Sequence, residues 1–573
     1  MRRIGADVGG TFTDVVLADA DGRIRVEKVL STPPDYDRAV VDAVRTLGGA
    51  DEVVHGTTVA TNAVLEHRGA RTALVTTAGF RDVLELRRMR MPHLYDAFWS
   101  KPPTLVERHL RFEVGERMLA NGTVERPLDD DEARAIATRL REAAVESVAV
   151  CLLHAYLHPA HERRLGEILR AGLPGVAVSL SSEILREQQE YERTATTVVN
   201  AYVRPLMASY LDSLRRGLGD ANLSIMQSSG GVMSAADAAE RPVYVLESGP
   251  AAGVVATLAL ARELGHANAI AFDMGGTTAK ASLIEHGRVS RTQEYEVGAS
   301  LSVGSRLLRG SGELIRIPTI DIAEVGAGGG SIAWRDEAGA VAVGPRSAGA
   351  DPGPACYGRG GKEATVTDAN VALGLVPEGR IGDGRLELSR ALAERALETI
   401  GVSPRAVHDL ANAAMMRALR SVSTEKGRDP SEFALVAYGG SGPVHAAALA
   451  AELGARTVVV PPLAGVFSAV GLLSARAERH DVRFCRIDAR APDLELLRRL
   501  DAEMRTDGDA WQRSADVRYR GQSWSVTVDL PGEIEAAPLA DLVTRFELEH
   551  ERLYGTRLEP GSPIDIRALR RVT

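Results

Sequence analysis

The sequence predicts an α/β protein of two similar halves facing a cleft, with an inserted segment in the first half and a small α+β tail. Three observations carry this expectation. Short apolar strands alternate with helical stretches along most of the chain. The octapeptide Asp7-Val-Gly-Gly-Thr-Phe-Thr-Asp14 returns as Asp273-Met-Gly-Gly-Thr-Thr-Ala-Lys280, 273 − 7 = 266 positions later. The chain has 573 residues, too many for one hydrophobic core. The repeat period is far too long for a solenoid.

Taken in order, residues 3–30 read as a hairpin. A strand at 4–6 meets Gly9-Gly10, a second strand follows over 11–18, and Asp21-Gly22 turns into a third over 24–30. A helix is expected over 36–48, a strand at 52–55, a helix from Thr57-Thr58 to Glu66, and a strand at 72–76. Residues 81–127 are rich in Arg, Met and Pro without periodicity, and read as an insertion or lid. Order returns with a helix over 130–143 and a strand over 147–153, and 183–217 reads as mostly helical. The second half is expected from about residue 201 to 485. It carries strands at 224–227 and 243–246, a glycine-rich polar block over 310–362, and a strand at 434–438 that runs through Gly439-Gly440-Ser441-Gly442-Pro443 into a helix. Residues 486–573 form the tail, with strands near 516–530 and a helix near 538–553.

Composition narrows the class. Apolar residues make up 45% and charged residues 25%, as in ordinary globular proteins. The net charge of −9 argues against a general nucleic-acid binder. Cys151, Cys356 and Cys485 are the three cysteines, far apart and without metal-ligand spacing, which suits a reducing compartment. With no apolar signal core and no apolar run long enough for a bilayer, the expectation is a cytoplasmic protein without a membrane partner.

The two glycine turns point to phosphate. A tight Gly-Gly-Thr turn lines up backbone N–H groups on one concave side, and a Cβ there would block the approach. The ligands expected are Gly9, Gly10, Thr11 and Thr13 in the first turn and Gly275, Gly276, Thr277 and Thr278 in the second. Asp7 and Asp273 precede the turns, where they can hold Mg²⁺ or orient water. The third loop, Gly439, Gly440, Ser441 and Gly442, opens a helix with Pro443 in its first turn. Its free donors and small residues suit a nucleotide.

The three loops resemble the actin and hexokinase superfamily. The segments between them are more specific: His55-Gly-Thr-Thr-Val-Ala-Thr-Asn62, Gly79-Phe-Arg-Asp-Val83, Glu247-Ser-Gly-Pro-Ala-Ala-Gly253, Gly326-Ala-Gly-Gly-Gly-Ser331, Ser347-Ala-Gly-Ala-Asp-Pro-Gly-Pro-Ala-Cys-Tyr-Gly358 and Thr365-Val-Thr-Asp-Ala-Asn370. Together, in order and over nearly the whole chain, they resemble the hydantoinase A / 5-oxoprolinase family. The resemblance implies two actin-like (ribonuclease H-like) halves around an ATP cleft. It implies ATP and Mg²⁺ as cofactors, and activation of a small cyclic amide or ketone by phosphorylation of its oxygen. A B-type hydantoinase subunit, and an oligomer, are the implied partners. Asp7, Asp14, Asp273 and Lys280 become the catalytic candidates; His55, Thr57, Thr58, Glu247, Asp351 and Asp368 become substrate candidates.

Several readings stay open at this level. Lys280 can neutralise phosphate charge or be a solvated residue. His55 can face the cleft or be a hydrogen-bonded structural histidine. Glu247 and Asp368 can face the cleft or cap helices. Cys356 has no neighbouring His to activate it, and Pro159 interrupts the helix that would align His154, His158 and His161. The Arg87-Arg88-Met89-Arg90-Met91 run reads as a charged lid or as a solvated face. Longer members of the family continue past the point equivalent to Thr573 with a further β-rich segment, which bears on contacts with the B-type subunit. The leading expectation is an ATP-dependent hydrolase of a cyclic amide. The alternatives are the ATP-binding subunit of a ketone carboxylase and a non-enzymatic ATP-binding regulator.

Overall fold

A computed structural model describes residues 1–10, 12–89, 95–96, 98–298, 312–381, 386–504 and 512–573. Two sheets share one local plan. In the first, Arg3–Val8 pairs antiparallel with Phe12–Ala18, placing Asp7 opposite Asp14, and parallel with Glu52–Thr57 on its other side. In the second, Ala269–Met274 pairs antiparallel with Ala279–Glu285, placing Asp273 opposite Lys280, and parallel with Ala434–Tyr438. Each glycine turn therefore joins the central strand of a sheet to its antiparallel neighbour. Alternation explains both central strands: Ile4, Ala6 and Val8 face one core, and Ile270, Phe272 and Met274 face the other, all fully buried.

The full first sheet runs Val232–Ser234, Asn222–Met226, Glu52–Thr57, Arg3–Val8, Phe12–Ala18, Ile24–Leu30. This corrects the expected start of the second half near residue 201. That position lies inside the helix Glu190–Leu218, whose Val199, Tyr202, Val203, Met207 and Tyr210 belong to the first core. The strand Asn222–Met226 then pairs parallel with Glu52–Thr57. The expected strand at 243–246 is instead a short 3₁₀ turn, Pro242–Val245.

The expected lid over 81–127 is also largely corrected. Arg111–Val114 is a strand of a separate parallel sheet ordered Ala177–Leu180, Ser147–Cys151, Thr72–Thr77, Arg111–Val114. Leu84, Val106, Leu110, Phe112 and Val114 are buried in its core. A strand of four residues is too short to leave a periodic signal among arginines and prolines.

The halves are joined by two helices, Ser248–Glu263 and Phe467–Ser474, packed in one cluster with residues of both sheets. Glycines make the joint close. A Cβ at Gly5 would lie 2.2 Å from Ala469 O, and one at Gly471 would lie 1.9 Å from Ala252 O. The tail is an antiparallel sheet ordered His480–Asp488, Ile564–Val572, Gln512–Tyr519, Val526–Asp529, covered by Leu494–Glu503 and Ala536–Tyr554. Arg570 ties it to the first half, bonding both Asp516 and Glu187 in buried surroundings. Among the described residues no helix is long and apolar enough to cross a membrane.

Candidate active site

The two turns close in the same way. Gly9 N–H donates to Phe12 O at 3.0 Å, and Gly275 N–H donates to Thr278 O at 3.1 Å. Gly10, Gly276 and Thr277 are exposed at the tips, and Thr278 is half-buried. Thr11 lies outside the described residues. Thr13 is corrected: its fully buried hydroxyl lies 3.1 Å from Ser31 Oγ, which in turn donates to Gly9 O at 2.7 Å. It braces the first turn from behind instead of offering a donor to a ligand.

Carboxylates crowd the floor between the turns. Asp7 Oδ1 is enclosed and has no hydrogen-bond partner. Burial, then the charges of Asp14 and Asp273, push the Asp7 carboxyl up to about 7. Burial raises Asp273 to about 6, against the pull of Lys280 and with a push from Asp14. Asp14 is raised by burial despite Lys28, whose ammonium nitrogen lies 2.5 Å from Asp14 Oδ1. The charges of Asp7, Asp14 and Asp273 act on one another across the two turns. Unneutralised, partly enclosed carboxylates suit a divalent cation. Among the described residues no group of three or more His, Cys, Asp or Glu could hold a metal alone. Asp7 and Asp273 fit a Mg²⁺ that draws its remaining ligands from water and phosphate.

Lys280 is held from two sides. Glu247 Oε2 lies 3.1 Å from its ammonium nitrogen and Glu324 Oε1 3.5 Å away. Burial opposes the charge, but the two glutamates outweigh it and keep Lys280 firmly protonated.

The third loop fits tightly under Asp273. Gly439 has φ +82, and a Cβ there would lie 2.4 Å from Asp273 Oδ1 and 2.5 Å from Met274 O. Ser441 N–H donates to Met274 O at 2.9 Å, and the helix Gly442–Leu453 follows with Gly442 buried against Met274. Gly440 stays exposed. The Gly326–Ser331 segment is bonded directly to the second turn: Gly329 N–H donates to Gly275 O at 3.0 Å and Gly330 N–H to Gly276 O at 2.6 Å. A Cβ on Gly328 would lie 2.5 Å from Thr277 N. Its run of three glycines was the available signal, but nothing in it says which turn it supports.

The remaining candidates divide. His55 is corrected to a structural role. It is fully buried, with Nδ1 donating to Ala6 O at 2.9 Å and Nε2 accepting from Tyr210 Oη at 2.8 Å. Burial lowers it to about 4, so it stays neutral. Asp368 is likewise corrected to a buried helix cap. Its carboxylate accepts from Ala355 N, Cys356 N, Thr365 N and Thr365 Oγ1, which leaves it nothing for a substrate. Thr57 is fully buried and exchanges bonds with Ser248. Thr58 donates to Val8 O at 3.2 Å, at the edge of the first turn. Asp351 is exposed. Glu247 caps nothing with its side chain and points to Lys280. Arg87 and Arg88 are not a solvated face: Arg87 pairs with Glu313 and Arg88 with Glu192 and Glu294. Arg90 and Met91 lie outside the described residues. Cys356 is buried, and its thiol is pushed far up by burial and Asp368, which is inert chemistry. Sequence reasoning missed Lys28 and Glu324, which sit in no motif and reach the site only through strand pairing.

Comparison with known proteins bears on the family. A family profile described as Hydantoinase/oxoprolinase matches residues 193–481, and one for the Hydantoinase/oxoprolinase N-terminal region matches 3–173. An uncharacterized Methanocaldococcus jannaschii protein is 41% identical over 96% of this chain and 84% of its own. Caprolactamase subunit alpha of Pseudomonas jessenii is 36% identical over 98% of this chain and 85% of its own. The crystal structure of the ATP-dependent caprolactamase from that organism superposes with a TM-score of 0.86 at 35% identity, covering 100% of this chain and 87% of that one. The nucleotide-free acetone carboxylase structure superposes with a TM-score of 0.75 at 26% identity, covering 100% and 88%.

Proposed function

The chain belongs to the hydantoinase/oxoprolinase family, and on that premise we propose that it opens a cyclic amide at the expense of ATP, as the A-type subunit of a two-subunit enzyme. The observation that carries this reading is the pair of matched turns over a shared floor of Asp7, Asp14 and Asp273, with one lysine set beside the second turn. Phosphoryl transfer needs little covalent help from a protein and much positioning and charge neutralisation. The relatives support an amide substrate and a partner: one is an ATP-dependent caprolactamase, named as a subunit alpha.

In this reading the exposed tips Gly10, Gly276 and Thr277 offer backbone N–H groups to phosphate oxygens, while the Gly9 and Gly275 N–H groups close the turns, and Gly439–Gly442 borders the nucleoside. Mg²⁺, held by Asp7 and Asp273, would offset the charge of the phosphates. Lys280 neutralises the phosphoryl group in flight. The amide oxygen attacks the γ-phosphorus, and the bond to the bridging oxygen breaks with its electron pair leaving on ADP. One water adds to the activated carbon, the C–N bond breaks, and the leaving amine takes up a proton from that water as the new oxygen becomes the carbonyl of an acyl phosphate. A second water attacks the acyl carbon and the C–O bond breaks, so that phosphate leaves carrying the amide's original oxygen and both carboxylate oxygens come from water. The later steps fall to the B-type partner.

The test is phosphate release from ATP with hydantoin, 5-oxoproline, caprolactam and acetone, each with and without bicarbonate and partner. The reading expects stimulation by a cyclic amide without bicarbonate. Product formation that strictly needs bicarbonate would move the chain to the ketone-carboxylase reading, which the acetone carboxylase likeness keeps in view.

A further inference from the structure

Lys280 stands where the first hairpin carries Asp14, across the strands from the turn aspartate. The two carboxylates that hold it come from different parts of the molecule. Glu324 is its direct cross-strand partner on Ile322–Val325, so the second sheet sets its direction. Glu247 sits in left-handed backbone with φ 56 and ψ 28, a conformation strained for a non-glycine residue. Its N–H donates to Thr61 Oγ1 at 3.1 Å, and the neighbouring Ser248 exchanges bonds with Thr57. Thr57 and Thr61 belong to the first half. Tyr295 faces the same pair: burial, then Glu247 and Glu324, hold its phenol far above the ordinary range. Asp273 and Asp7 also lie within electrostatic reach of Lys280. One cation on the second sheet is thus shared by a carboxylate of its own sheet and a carboxylate anchored to the first half.

Resting on the phosphoryl-transfer reading above, we propose that Glu324 is a positioning residue for Lys280. It keeps the ammonium at the second turn while Glu247 gives up its contact to an oxygen of the transferred phosphoryl group. Two carboxylates are needed for this exchange. With Glu247 alone, Lys280 would have to choose between its partner and the phosphate without a fixed anchor. Glu324 acts through Lys280, so it governs the rate of transfer and leaves nucleotide affinity alone.

The experiment compares wild type, Glu324→Gln, Glu324→Asp, Lys280→Ala and the double variant Glu324→Gln/Lys280→Ala in the full chain with its partner. Glu324→Gln is expected to lower kcat for ATP cleavage about tenfold, with KM for ATP, ADP affinity and Tm little changed. Glu324→Asp should recover part of the loss, and the double variant should be no worse than Lys280→Ala. Unchanged kcat in Glu324→Gln overturns the proposal. So does a loss of ADP affinity or Tm in step with kcat, or full additivity with Lys280→Ala. ATP cleavage is measured with and without cyclic amides. If no amide stimulates wild type, the substrate reading fails by itself, and the Glu324 comparison is still read on basal cleavage.

Discussion

Asp7 has an enclosed oxygen with no partner and a carboxyl pushed up to about 7 by burial and by its neighbours Asp14 and Asp273. A group in this state is not there for stability, since its ionised form is disfavoured in the fold. Asp7→Asn should therefore keep or raise Tm while cutting ATP turnover by on the order of 10² or more. Thermal melts and phosphate release check both halves of the statement, and turnover within a few-fold of wild type would remove Asp7 from the mechanism. His55 makes the opposite case. It stays neutral in the fold down to about pH 4, whereas an unfolded histidine takes a proton near 6.5. The unfolded state binds more protons in that window, so the stability His55 contributes is complete above about pH 6.5 and is lost as pH falls toward 4, by on the order of 3 kcal/mol. Tyr210→Phe should cost about 1–3 kcal/mol by leaving buried Nε2 unpaired, with kcat for ATP cleavage unchanged. Loss of activity at constant stability would return His55 to the cleft.

At the scale of elements, each glycine turn was legible because its chemistry is local: a strand, a tight turn and a strand, written in eight consecutive residues and written twice. Residues whose position depends on distant pairing were not. Glu324 reaches Lys280 only because Ile322–Val325 adds to the edge of Ala279–Glu285. His55 and Asp368 carried motif resemblance, yet burial decides what they do, and burial is a property of the assembled core. The Gly326–Ser331 segment shows the dependence most directly. Gly328→Ala would drive a Cβ to 2.5 Å from the backbone of the second turn, so the turn must shift. We expect KM for ATP to rise at least about tenfold. Gly265→Ala, strained at φ +77 but in open space, should cost some stability and leave KM unchanged. Equal KM in the two variants would separate the glycine segment from the nucleotide site.

For the whole molecule, the two-half plan was readable from the repeated octapeptide, but the partition of the chain was not. The first half closes its sheet with Asn222–Met226 and Val232–Ser234, after a long helix that runs through the expected boundary. A strand of a second, parallel sheet, Arg111–Val114, lies inside what reads as a lid. Both errors share a cause: the strands pair parallel with partners distant in sequence, about 170 residues away for Asn222–Met226 and about 37 for Arg111–Val114, and parallel pairing hides behind the segments that connect it. The two sheets are locked together by the helices Ser248–Glu263 and Phe467–Ser474, and the proposed function has the substrate oxygen meet the γ-phosphate between them. The most direct measurement of that claim uses a cyclic amide substrate labelled with ¹⁸O at its carbonyl, turned over by the complete enzyme with ATP. Phosphorylation of the amide oxygen predicts ¹⁸O in the released phosphate. Unlabelled phosphate, with all the ¹⁸O retained in the carboxylate product, would contradict it.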